Sequence, residues 1–151
     1  MYEVPGTNFV LMGDWDNTPE PLDKIIIRLL PTAGRFYGQG WRSSTQVFLR
    51  KLAQHVKPEM TVLDFGTGTG ILSIAAAKMG AWVTAVENDP VVFQSAREHF
   101  ALNSVEVTLI PDNPQGQFDM VVANVGDIAL NANRAMLRRA LTPRGNLLWQ
   151  L

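Results

Sequence analysis

Seven residues, Asp64-Phe65-Gly66-Thr67-Gly68-Thr69-Gly70, and a single acid, Glu87, have the types and spacing to hold a nucleoside-like ligand. Glycine admits positive φ and lets a ligand approach the backbone where a Cβ would stand. A helix starting after Gly70 would present free N–H groups and a partial positive charge. Glu87 lies 21 residues beyond Gly66, at the end of the next apolar run. A carboxylate placed there can accept both hydroxyls of a ribose. The spacing is G-x-G-x-G; the dinucleotide fingerprint needs G-x-G-x-x-G, and Ile71 stands at its last position. No Gly-Lys-Ser/Thr occurs, so there is no P-loop.

The pattern of the chain supplies elements to position these residues. "TVLDF" reads as a buried strand entering the glycine turn, and "ILSIAAAKM" as the helix leaving it, with Gly80 as its left-handed cap. "WVTAVE" is a second strand. Asp89 and Pro90 open a helix to about Leu102. "VEVTLI" and "FDMVVANV" are the third and fourth strands, with "PDNPQGQ" as a turn between them. A helix over 128–141, a break at "PRG" and a fifth strand, "NLLWQL", follow. Upstream, Phe48, Leu49, Leu52, Ala53 and Val56 form one helical face that ends before Pro58, and Lys24 to Leu30 read as a strand. Alternating strands and helices imply a parallel sheet covered on both faces. The expected fold class is therefore α/β, a Rossmann-like doubly wound parallel sheet in the order 3-2-1-4-5. Residues 1–24, rich in Pro, Gly, Asn and Asp, read as an N-terminal loop or arm, and 25–151 as one cofactor-binding domain.

Composition excludes several classes. The 151 residues are 46% hydrophobic and 18% charged, which suits a globular domain. Net charge is −1, so no global basic field points to nucleic acid or an anionic membrane. There is no cysteine, and only His55 and His99 carry imidazole, so no metal site is expected. No window reaches membrane-spanning length and the start lacks a secretory pattern, which leaves a soluble cytoplasmic protein as the default expectation. Arg134, Arg138, Arg139 and Arg144 read as a solvated helix face in preference to an RNA contact.

D-x-G-x-G-x-G followed by the acid resembles motif I of class I S-adenosylmethionine-dependent methyltransferases. Further stretches are similar to the bacterial ribosomal-protein methyltransferases that modify the stalk-base protein of the large subunit. These are "YGQGWRSST" (Tyr37 to Thr45), "VKPEMTVLDFGTGTGILSIAAAKMGA", "AVENDP", "DMVVANV" and "LTPRGNLL", within about residues 25 to 151. The resemblance implies S-adenosyl-L-methionine as cofactor and a protein amine, ribosomal by likeness only, as methyl acceptor. It places cofactor contacts on Thr45, Gly66, Glu87 and Asn124, with Gly68 and Gly70 in the same turn. Asp64 would orient the loop or meet the cofactor's ammonium, and Asp112 would face the adenine amino group or serve as a turn residue. Asn124 would lie beside the methyl donor as the catalytic residue, orienting the amine. The N-P-P-Y/F motif of exocyclic base-amine methyltransferases is absent, since "ANVG" stands in its place.

Arg42, Ser43 and Gln39 depart from the family's upstream pattern, and Val125-Gly126 from its paired aliphatics. The family's large N-terminal substrate domain does not fit before residue 25, and its C-terminal antiparallel hairpin is missing. The expected edge at 146–151 would expose unpaired backbone, which is expected to reflect a truncated sequence or to be met by self-association, or else to be covered by the strand at Lys24 to Leu30. An S-adenosylmethionine-binding module without turnover is the alternative expectation.

Overall fold

The computed structural model of the protein describes residues 1–35 and 42–149. Five strands form a fully parallel sheet: β4 (Thr61–Phe65), β5 (Trp82–Val86), β6 (Val107–Ile110), β7 (Phe118–Ala123) and β8 (Leu141–Trp149). Their order is β6-β5-β4-β7-β8, which is 3-2-1-4-5 counted from β4. The chain reverses direction across the sheet at β4, so the crevice at the carboxyl ends of β4 and β7 is the topological switch point.

Each strand alternates between two cores. Val62, Val83, Ala85, Met120 and Val122 face α1 (Ser43–His55), α2 (Ile71–Lys78) and α3 (Pro90–Leu102). Leu63, Val86, Val121 and Ala123 face Leu130 and Leu137 of α4 (Asp127–Arg139). The caps follow the local chemistry. Asp89 Oδ1 accepts from the N–H groups of Val91 (2.8 Å) and Val92 (3.2 Å), with Pro90 in the first turn of α3. Gly80, at φ 94°, ends α2.

The N-terminal segment departs from the expected arm. Phe9–Gly13 is a strand, β2, pairing antiparallel with β1 (Tyr2–Glu3) and parallel with β3 (Ile25–Leu29) in a second sheet. Val4, Phe9 and Leu11 join the first core with Ile27 and Leu29, while Val10, Met12 and Ile26 cluster on the other face. A four-residue apolar run among Gly, Asn and Asp carries no alternation, so nothing local marks it as a strand; burial on both faces makes it one. Residues 14–23, with Asp14, Asp16, Glu20 and Asp23, form a mostly exposed acidic loop.

Nor does β3 cover the edge at β8. Its own open edge is closed by α3: Asn103 Oδ1 accepts from Arg28 N (2.7 Å), and Asn103 Nδ2 donates to Arg28 O (2.8 Å) and His99 O (2.8 Å). The side-chain amide thus replaces a neighbouring strand. His99 Nε2 accepts from Leu30 N (3.1 Å) and Nδ1 faces Ser95 O at 2.8 Å, which places the ring proton on Nδ1.

At the other end, α4 stops at Arg139 and β8 begins at Leu141, earlier than the expected strand. Leu141 pairs with Phe118 and Asn146 with Met120, so the intervening residues form a bulge. Pro143 has no N–H for the ladder, and Gly145 lies against the carbonyls of Phe118 and Asp119, where a Cβ would stand 3.1 Å from each. Residues 150 and 151 of the expected strand lie outside the described residues.

Burial holds the His99 pKa below its ordinary 6.5. The unfolded chain therefore binds more protons than the native one below that value. The stability due to neutral His99 is complete above pH 6.5 and is lost as the pH falls. Urea midpoints should drop between about pH 7.5 and about pH 5.5, and His99→Gln should shrink that drop. An equal drop in the variant would show that other groups carry it.

Candidate functional site

The turn between β4 and α2 is built on three left-handed glycines, Gly66 (φ 73°), Gly68 (φ 60°) and Gly70 (φ 87°). Gly66 N and Thr67 N both donate to Val86 O, at 2.9 and 3.0 Å, which ties the turn to β5. The glycines differ in what surrounds them. A Cβ at Gly66 would collide with Val125 Cγ1, from the loop after β7. One at Gly70 would stand 2.5 Å from the Phe100 ring of α3. Gly70 is therefore required by backbone and packing, and Gly66 and Gly68 are the two that line the crevice.

Asp64 is buried under the turn. Its Oδ2 accepts from Thr67 Oγ1 and Ser73 Oγ, each at 2.7 Å, and the two hydroxyls lie 3.0 Å apart. Burial pushes the carboxyl pKa up from 3.8, the two hydroxyl hydrogen bonds oppose this, and the charge of Glu87 adds to the rise. Of its two expected roles, the geometry gives Asp64 that of orienting the loop.

Glu87 spans the mouth of the turn. Its Oε2 accepts from Gly68 N and its Oε1 from Asp89 N, both at 3.1 Å. The carboxylate is held on the crevice by backbone donors of both the glycine turn and the approach to α3.

The crevice is a cleft of about 1200 Å³. Gly66, Gly68, Glu87, Asp112 and Asn124 line it, so the structure brings together five of the eight residues singled out from sequence. Asp112 is exposed on the loop after β6, where its Oδ1 accepts from Asn113 Nδ2 at 3.2 Å. Asn124 follows the last residue of β7. Asp64, Gly70 and Thr45 are not part of the lining. Thr45 sits in the first turn of α1, only 1% exposed, and its Oγ1 has no hydrogen-bond partner among the described residues. Tyr37 to Trp41 of the upstream motif lie outside the described residues.

Sequence reasoning missed one wall. Ala129, Asn133 and Met136 of α4 face the cleft at helical spacing, and Val125 closes it over Gly66. The i, i+4, i+7 pattern was present, but only the crossing of α4 over the sheet decides which flank meets the crevice. Among the described residues no group of three or more His, Cys, Asp or Glu could hold a metal ion, and no helix is long and apolar enough to cross a membrane.

A doubly wound sheet with this order, a glycine turn after its first central strand and an acid after the next defines the Rossmann-like fold of class I methyltransferases. Residues 4–149 match the family described as ribosomal protein L11 methyltransferase (PrmA), and the chain belongs to that family. The match begins well before the expected residue 25 and takes in β2 and β3 of the N-terminal sheet. Among curated relatives, the ribosomal protein L11 methyltransferase of Ralstonia pickettii is 38% identical over 146 residues, 95% of this chain and 48% of that protein. The Burkholderia thailandensis protein of the same name is 37% identical over 145 residues, 94% of this chain and 47% of its own length. The chain thus spans about half the length of the curated relatives it matches. Among solved structures, a ribosomal protein L11 methylase from Lactobacillus delbrueckii subsp. bulgaricus superposes with a TM-score of 0.82 at 30% identity, covering 93% of this chain and 73% of that one.

Two substitutions separate backbone demand from packing. Gly70→Ala should destabilise the protein by more than about 1 kcal/mol, through positive φ and the clash with Phe100. Phe100→Leu in the same chain should recover part of that loss, read as a smaller ΔΔG in a double-mutant cycle by urea unfolding. Asp64 supplies a pH signature. Because its folded pKa lies above 3.8, its contribution is full below that value and is lost as pH rises through the folded pKa. Asp64→Asn, which cannot ionise, should gain stability relative to the native chain as the pH is raised; a constant difference would contradict the raised pKa of the buried carboxyl.

Proposed function

We propose that the chain binds S-adenosyl-L-methionine in this cleft and transfers its methyl group to an amine of a protein. The observation that carries the reading is the Glu87 carboxylate fixed across the glycine turn by Gly68 N and Asp89 N. Its outer face is available to a ribose diol at the position where doubly wound folds read that sugar. The remaining residues fit the same ligand. Gly68 leaves its backbone bare for close approach, while Gly66 lines the cleft beneath Val125. Asp112 and Asn113 line the cleft after β6, which supports a contact between Asp112 and a base amino group.

When bound, the cofactor supplies a methyl group already activated on a sulfonium. The protein's part is then alignment and exclusion of water, which needs no catalytic triad. Asn124, at the end of β7, is neutral, and its amide oxygen would accept an N–H of the amine while leaving the nitrogen lone pair free. A carboxylate in its place would favour the protonated, non-nucleophilic ammonium. Val125, packed on Gly66, sets the spacing between the Asn124 loop and the glycine turn. The curated relatives are named for ribosomal protein L11, which makes an amine of a ribosomal protein the acceptor to test, and a cytoplasmic site of action goes with it.

Calorimetric titration with S-adenosylhomocysteine should give a dissociation constant on the order of micromolar, with none for NADH. Glu87→Ala should weaken that binding by about 1–3 kcal/mol, since a charged acceptor is lost. Binding together with methyl transfer to the purified ribosomal protein would establish the enzyme. Binding without transfer to any amine would favour the non-catalytic module, and unchanged affinity in the variant would remove Glu87 from the site.

A further inference from the structure

Arg134 and Arg138 lie one turn apart on α4, on the flank away from Ala129, Asn133 and Met136 of the cleft. Both guanidiniums sit over the indole of Trp149, at 4.8 and 5.3 Å from its centroid. This stacking is what the sequence did not anticipate for a solvated helix face. A guanidinium laid on a ring loses much of its freedom in advance and keeps its N–H edge outward, as a fork suited to carboxylates. The Arg134 Nη2 bond to Asn131 Oδ1, at 3.0 Å, fixes one fork further.

The surroundings make this an unneutralised patch. Residues 128–151 contain four arginines and no acid, while the rest of the chain carries nine Lys and Arg against fourteen Asp and Glu. Arg134, Arg138, Arg139 and Arg144 are all exposed, and among the described residues none pairs with a carboxylate. Position adds a direction. Trp149 is in register with Ala123, the residue before Asn124. Glu87 and Asp112 lie beyond the ends of β5 and β6, on the other side of β4. The patch therefore flanks Asn124 on the side away from the proposed cofactor, where an acceptor would arrive.

Resting on the reading of a protein acceptor, we propose that Arg134 and Arg138 on Trp149, with Arg139 and Arg144, are the docking surface for an acidic segment of that acceptor. A short acidic peptide meets only this local field. A long polyphosphate chain would also meet the net negative charge of the remainder, which disfavours RNA.

The test is fluorescence anisotropy of labelled decaglutamate and labelled decauridylate on the native chain, on Arg134→Gln/Arg138→Gln, and on Arg97→Gln as a distant control. S-adenosylhomocysteine affinity is measured in parallel. The proposal expects decaglutamate to bind more tightly than decauridylate. Its affinity should fall by about tenfold or more in the double variant and hold in the control, with cofactor-product affinity unchanged in both. Absence of peptide binding, or equal affinity in native and double-variant protein, would overturn it. Tighter, arginine-dependent binding of decauridylate would overturn it in favour of a nucleic-acid surface. Peptide binding by a chain that fails to bind S-adenosylhomocysteine would keep the docking surface and sink the methyltransferase reading.

Discussion

The structure depends on one constraint: the chain must reverse from β4 into α2 within five residues while holding backbone N–H groups toward a crevice. Three positive-φ glycines make the reversal sterically allowed, but they do not by themselves choose one conformation. The choice is made from below, by Asp64 gathering the hydroxyls of Thr67 and Ser73, and from the side, by Val86 O taking two N–H groups. A buried carboxyl is costly when ionised, and its raised pKa records that cost. The network makes one turn geometry the state in which every one of these polar atoms is satisfied.

Everything around the turn is fitted to it. Phe100 fills the space that Gly70 leaves open, and Val125 the space beside Gly66, so α3 and the β7–α4 loop both read the absence of side chains there. The same helix α3 carries His99 and ends at Asn103, its C-cap, and these two seal the edge of β3. The N-terminal sheet is thereby joined to the glycine turn through one helix, and its residues share a core with α1 and α2. A stretch with little local signal thus becomes part of the support for the site.

The cleft has a division of labour along the strand ends. On the proposed reading, the nucleoside of the cofactor is recognised at the ends of β4, β5 and β6, where Gly68, Glu87 and Asp112 line the cleft. Asn124, after β7, is where the two halves meet, and Trp149 with its two arginines lies beyond it on β8. Parallel strands all deliver their carboxyl ends to one rim, so Gly68 and Asn124, 56 positions apart in sequence, meet there without any special arrangement.

Much of this was legible in the sequence. Strict alternation of apolar runs and turn residues gave β4 through β7 and their helices, because local periodicity there agrees with the fold. The glycine spacing and the distance to Glu87 were enough to place the crevice, since both are fixed by local geometry and the handedness of crossovers. What only the tertiary structure decided were the matters that depend on neighbours distant in sequence. Phe9–Gly13 is a strand because β1 and β3 pair with it and two cores cover it. Asp64 turned out to support the loop because Ser73 reaches it from α2. The cleft-facing flank of α4, and the stacking of Arg134 and Arg138 on Trp149, depend on how a helix crosses a sheet. Periodicity specifies that a helix has faces; only packing assigns each face its neighbour.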